Sequence, residues 1–329
     1  MSNIIALDYE QFKDELIKGL TSFYDGQRKV LLEKIQRNND IILDGIIIQK
    51  LTTTACPTFY VNQFFTEYLK GSTLSDIIKK IACTVSQEES VNGNISFLND
   101  FTFNWEYVKN NITFRLINAT QNEEYLNTVP HRPFCDLAVI YHCYVEVPNG
   151  LVGTIRISNE HLKNFEVLEE DLFEAAKNNA SKKLSPVCKP IAEVLKGIIS
   201  KCPDANEEDL SNLLHYNEQM CPSMYVLSNE DNHYGATSII FYDYMKTLHE
   251  KIGRNYFVLP SSIHEVIIVP DNGNFNGNEL KHLVHQVNTN EVPIEEILSD
   301  EVYYVKDDGI VRLYGEDTSY FSTAFCKLL

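Results

Sequence analysis

The chain has 329 residues, 44% of them apolar, which is enough for a substantial core in one large domain or two ordinary ones and excludes a disordered protein. Forty-six acidic residues against 28 basic ones give a formal charge of −18, and a field of that sign repels phosphate backbones and anionic lipid, arguing against generic nucleic-acid or membrane-surface binding. No apolar run approaches the roughly 18 residues that span a bilayer, and Met1 to Asp8 lack the basic segment and apolar run of a secretory leader.

Tyr9, Phe12, Leu16, Leu20 and Phe23 recur at steps of three and four, predicting an amphipathic helix over 8–23 with Asp8 as its cap. Asp25-Gly26 ends it. The β-branched run Ile41 to Ile48 and the apolar run before Arg37 to Asp40 predict a β-hairpin over 29–50, with a helix over Val30 to Gln36 as the alternative for the first run. Helices are expected at 61–70 and 74–86, and a polar loop over 87–100. Trp105, Val108, Ile112 and Leu116 mark a further helix by spacing, and a short one starts at Glu123. Leu137 to Val147, Pro148-Asn149-Gly150 and Leu151 to Ser158 read as strand, turn and strand, because Asn-Gly tolerates positive φ.

Helices are predicted at 169–181 and 187–200. The acidic segment 203–222 reads as a connection between an N-terminal α+β region, 1–202, and a C-terminal α+β domain, 223–329. In the latter, strands at 224–227, 256–259, 264–269, 302–306 and 310–314 alternate with helices at 235–252 and 277–288. The expected class is α+β: N-terminal helices with β-hairpins, then a mixed, largely antiparallel sheet packed with helices.

The phrases Pro130 to His142, Glu169 to Asn179, Met224 to Asn229, Tyr234 to Ala236, Leu259 to Pro270 and Leu298 to Val305 resemble a family of clostridial gut bacteria and their mobile elements, catalogued as a domain of unknown function. The resemblance covers roughly residues 8–314. The C-terminal part is distantly similar to a second uncharacterised family, of bacilli. Neither brings an activity or a catalytic residue, but the resemblance implies a bacterial, cytoplasmic setting and a role in conflict between element and host.

Leu259 to Val266 holds the residue types of a hydrolase: a hydroxyl at Ser262, an imidazole at His264 and a carboxylate at Glu265. In an extended strand Ser262 and His264 share a face and Glu265 points away, so the three do not make a self-contained triad. The alternative reading makes the serines a turn after Pro260, with His264 bonded to nearby backbone. Glu279, His282 and His285 stack at steps of three on one helix and would supply part of a metal site, though not in the H-E-x-x-H pattern; the alternative is exposed histidines. Asp271 to Asn274 with Asn276 has the composition of a calcium loop without its later ligands, and reads as a polar turn.

Eight cysteines (Cys56, Cys83, Cys135, Cys143, Cys188, Cys202, Cys221 and Cys326) are scattered without a C-x-x-C, as expected of reduced thiols in a cytoplasmic protein. Cys135 or Cys143 with His131 or His142 is a further constellation; the adjacent pair His142–Cys143 faces opposite ways. No phosphate-binding glycine motif occurs and no cofactor is expected. Residues 166–329 carry 27 acidic and 13 basic residues. That asymmetry, with Tyr242, Tyr244, Tyr303 and Tyr304 as aromatic anchors, predicts a protein partner that is basic or itself binds nucleic acid, with no direct nucleic-acid or membrane contact. A hydrolase using Ser262 or a cysteine with His264, and an accessory protein without catalysis, are the alternatives.

Overall fold

The computed structural model describes residues 6–50, 58–91, 103–147, 151–200, 224–260 and 262–315. The class is α+β, and its three sheets are antiparallel throughout. The chain forms two compact units. One comprises Met1–Arg37, Ile41–Phe103 and Val145–Gly153, and the other Asn38–Asp40, Asn104–Tyr144 and Thr154–Leu329.

In the first unit, helix α1 (Tyr9–Tyr24) starts where Asp8 accepts the Gln11 amide at 2.8 Å and the Gln11 side chain returns a bond to the Asp8 amide, a reciprocal cap. It stops at Asp25 in the left-handed region. Strands β1 (Arg28–Gln36) and β2 (Ile42–Lys50) form the expected hairpin, with β3 (Thr58–Tyr60) beside β2. Helices α2 (Val61–Leu69) and α3 (Leu74–Val91) close the layer. Phe12, Leu16 and Leu20 of α1, Ile46 and Ile48 of β2, and Ile77 and Ile81 of α3 meet in one core, because three- and four-residue steps on helices and two-residue steps on a strand each put their apolar residues on one face.

In the second unit, helix α4 (Trp105–Asn111) leads into strand β4 (Ile112–Asn118). The single helix predicted through Leu116 is therefore corrected. Ile112 and Leu116 happen to fit a helical step from Val108, but all seven residues of β4 are buried, and although β4 pairs only with β6, a stretch covered on both faces and carrying Ile, Thr and Phe suits a strand. The short helix at Glu123–Leu126 is present as α5. Strand β6 (Leu137–Val147) pairs with β4 on one edge, and with β5 (His131–Phe134) and β7 (Leu151–Arg156) as its other neighbours. The 148–150 turn lies outside the described residues. After α6 (Asn159–Phe165), α7 (Glu169–Lys183) lays Leu172, Phe173 and Ala176 on the β4–β6 face that carries Phe114 and Tyr141; the Phe114 and Phe173 rings are 5.6 Å apart.

The helix predicted over 187–200 is also corrected. Residues Pro186–Pro190 form edge strand β8, and only Ile191–Ile199 is helix, α8. Pro186 and Pro190 lack the N–H of a helix interior, and proline within a sheet is confined to edges and ends. Strands β9 (Tyr225–Asn229), β10 (Tyr256–Leu259), β11 (Val266–Pro270), β12 (Tyr303–Val305) and β13 (Val311–Leu313) complete a six-stranded sheet in the order β13-β12-β10-β11-β9-β8. Strand β8 and helix α8 precede the expected 203–222 connection, which lies outside the described residues, and β9, which follows it, pairs side by side with β8. Instead of one helix over 235–252 there is a tight 3₁₀ turn, Gly235–Ile240, extended Phe241, and helix α9 (Tyr242–Ile252). Helix α10 (Gly277–Asn290) presents Leu280 and Val284 to Phe257 and Val269 of the sheet. Among the described residues no helix is long and apolar enough to cross a membrane.

Candidate functional site

The loop between β10 and β11 holds Ser262 and His264, and the turn after β9 faces it. Asn229 builds that turn: its side chain accepts the His233 amide at 3.1 Å and donates to the His233 carbonyl at 2.9 Å. Tyr234 then takes a left-handed conformation (φ 54°, ψ 28°), which is costly for a bulky residue. Gly235 follows because nothing larger fits: a Cβ there would sit 2.1 Å from Ser228 Oγ and 2.7 Å from the His264 carbonyl oxygen. Ser228 Oγ donates to that same carbonyl at 2.8 Å.

These constraints fix His264. Its Nδ1 accepts the Tyr234 amide at 3.2 Å, which assigns the proton of the neutral ring to Nε2, 3.9 Å from Glu296 Oε1. His233 stacks on it with centroids 5.0 Å apart. Ser262 Oγ is buried and accepts the His264 backbone amide at 3.0 Å. The hydroxyl thus closes a turn and the imidazole nitrogen on that side is engaged by backbone. Glu265 makes no hydrogen bond to His264; burial raises its carboxyl above the ordinary value, with His264 opposing and Glu296 adding to the shift. Ser262, His264 and Glu265 are neighbours without the nucleophile–base–acid order of a hydrolase. Ser261 lies outside the described residues.

On α10, Glu279, His282 and His285 are exposed. His285 Nδ1 is 2.9 Å from Asp300 Oδ2, and an open groove of about 520 Å³ is lined by Asn278, Lys281, His282, His285 and Asp300. Among the described residues no three His, Cys, Asp or Glu side chains gather in a way that would hold a metal ion. Asp271 and Asn272 accept the amides of Gly273 and Asn274, and Asn276 caps α10, so the calcium-like sequence is a polar turn.

The four tyrosines divide. Tyr303 is fully buried in β12 and donates to Asp136 Oδ1 at 2.7 Å, so it is core and not an interface anchor. Central strands of a covered sheet bury their side chains, and Tyr303 sits between Val258 and Leu313. Tyr304 donates to Asp271 Oδ2 at 2.6 Å and packs on Phe257. Tyr242 and Tyr244 at the start of α9 are half-buried. Burial pushes the Cys143 thiol up to about 12, outside the range of a thiolate nucleophile at neutral pH.

Sequence reasoning missed Arg115 and Tyr234. The Arg115 guanidinium lies 3.6 Å from the centroid of the Tyr234 ring, so the strained tyrosine touches His264 through its backbone and Arg115 through its ring. The available signal was a lone charged residue, Arg115, within the stretch Ile112 to Asn118.

Fold and site together define an α+β protein with antiparallel sheets whose candidate side chains are clamped by backbone and not arranged as a catalytic relay. The model described as Family of unknown function (DUF5688) matches residues 9–306, and the chain belongs to that family. No curated protein and no solved structure matches it.

Proposed function

We propose that the protein is a binding protein that engages a basic partner through the acidic surface of its C-terminal half. The observation that carries this reading is the set of exposed carboxylates without an ion-pair partner among the described residues: Glu230, Asp231, Asp243, Glu250, Glu279, Glu291 and Asp307. Charge of this kind steers association and sets its salt dependence. A partner that itself binds nucleic acid, such as a component of a host defence system, fits the sign of the surface and the resemblance to mobile-element proteins. The setting would be cytoplasmic.

Capture of partners from lysate on the tagged chain tests this at about 0.1 M and about 1 M salt, where the screening length falls from ~10 Å to ~3 Å. The expected result is a basic partner held at low salt, released at high salt, and lost when Glu230, Asp231, Glu279 and Glu291 are replaced by their amides. A partner indifferent to both treatments overturns the reading.

A further inference from the structure

Thr113, Arg115 and His142 project from one face of the β4–β6 pair: Thr113 stands opposite His142 and Arg115 opposite Ile140, two positions along. They are 0%, 7% and 8% exposed. The 3₁₀ turn Gly235–Ile240 packs against β4 and brings Thr237, 1% exposed. Thr113 Oγ1, Arg115 Nε, His142 Nδ1 and Thr237 Oγ1 are all sealed from solvent and have no hydrogen-bond partner. Buried polar atoms are ordinarily paired, and four orphans contributed by adjoining elements mark a place built to receive something.

Arg115 states what that something is. No carboxylate pairs with it among the described residues; burial lowers its pKa, and only Tyr234, Tyr144 and Tyr125 oppose that shift. The centroid of the Tyr234 ring lies 3.6 Å from the guanidinium carbon, but a ring offers no hydrogen-bond acceptor in the guanidinium plane, and the buried Nε has no partner. Burial, with the positive charges of Arg115 and Arg156, pushes His142 well below its ordinary value, so the imidazole is neutral there. Arg156 is exposed on β7 and lies 4.8 Å over the Tyr125 ring, adding a second cation at the margin. His233, exposed and 4.3 Å from the Tyr234 ring, marks the side that meets solvent.

We infer that Arg115, Thr113, His142 and Thr237 form a binding site for a phosphate group, free or carried by a small phosphomonoester. A carboxylate would satisfy the guanidinium fork alone. A tetrahedral phosphate has acceptor oxygens on every side, matching a fork on one layer and a hydroxyl on another. The site is independent of the acidic surface proposed above.

Thermal unfolding of the full chain with inorganic phosphate, glycerol phosphate or acetate, each balanced by sodium chloride to one ionic strength, tests the inference. A saturable rise in Tm with inorganic phosphate or the ester is expected, with a smaller one for acetate. Arg115→Met should weaken the apparent affinity about tenfold or more, and Thr237→Val, which keeps its volume, about three- to tenfold. Should Arg115→Met fail to fold, Thr237→Val and the ¹⁵N signals of the His142 ring in the unmodified chain, expected to move with phosphate, decide. No rise beyond that of chloride, a rise unchanged by Thr237→Val with His142 unmoved, or acetate binding as tightly as phosphate would each overturn it.

Discussion

Gly235 and Gly197 make opposite demands on a methyl group. At Gly235 a Cβ would collide with Ser228, the Asn229 amide and the His264 carbonyl, two of these being backbone atoms that do not yield easily. Gly235→Ala is expected to lower stability by about 1–3 kcal/mol, read as a shift in denaturation midpoint. Gly197, inside α8, has nothing within 4 Å of its Cβ position, and Gly197→Ala should raise stability by about 0.5–1 kcal/mol by restricting the unfolded chain. Asp44 gives a pH-dependent case. It is 4% exposed, with Lys34 at 2.8 Å, Lys13 at 3.6 Å and the Tyr9 hydroxyl donating at 3.1 Å. Burial raises its pKa, but the bonds from Lys34 and Tyr9 and the two lysine charges outweigh it, so the carboxyl is held below its ordinary 3.8. A depressed folded pKa contributes stability that is present above 3.8 and lost as pH falls through the lower folded value. Asp44→Asn should therefore cost about 1–3 kcal/mol at neutral pH and flatten the acid limb of a stability–pH curve.

Among the elements, the β10–β11 loop decides the hydrolase question. Ser262 is spent on the His264 amide, so Ser262→Ala should keep the fold at a cost of about 1 kcal/mol, and the unmodified chain should not react with a fluorophosphonate at this residue. Labelling of Ser262, by mass spectrometry, would revive a nucleophilic role. The residue types here were legible in the sequence as a cluster. Their bonding was not, since the group that occupies His264 Nδ1 comes from Tyr234, 30 residues earlier. Legibility of the elements followed the same division. The α1 cap, the β1–β2 hairpin and the α10 stripe are local patterns and are found where spacing placed them. At β4 the apolar residues fit both periods, and burial by α7 on one face and the Gly235–Ile240 turn on the other decided for strand. At β8 two prolines signalled the edge strand, but an apolar step in Ile191 to Ile199 extended the helix reading backward over it. Arg115 had no local meaning at all: it acquires one only when the long-range fold sets Tyr234 over it.

For the molecule as a whole, −18 of formal charge is a self-repulsion that compact folding concentrates. Raising sodium chloride from about 0.02 M to about 0.5 M should lift Tm by a few degrees as that repulsion is screened, measured by calorimetry. A flat response would mean that paired charges such as Lys281–Glu301 and Arg312–Asp308 already neutralise the surface locally. The α+β class and the antiparallel C-terminal sheet were legible from the order of patterns. The division into two compact units was not, because Asn38–Asp40 and Val145–Gly153 each belong to a different unit from the residues around them, and composition does not register such exchanges.

Trp105, in the first turn of α4, is the chain's one tryptophan and belongs to the second unit. Its emission is a built-in optical reporter for that unit alone. Far-ultraviolet ellipticity, by contrast, sums the helices of both. Unfolding followed at the two wavelengths together therefore separates the melting of one hydrophobic core from that of the other, without a label or a truncated chain.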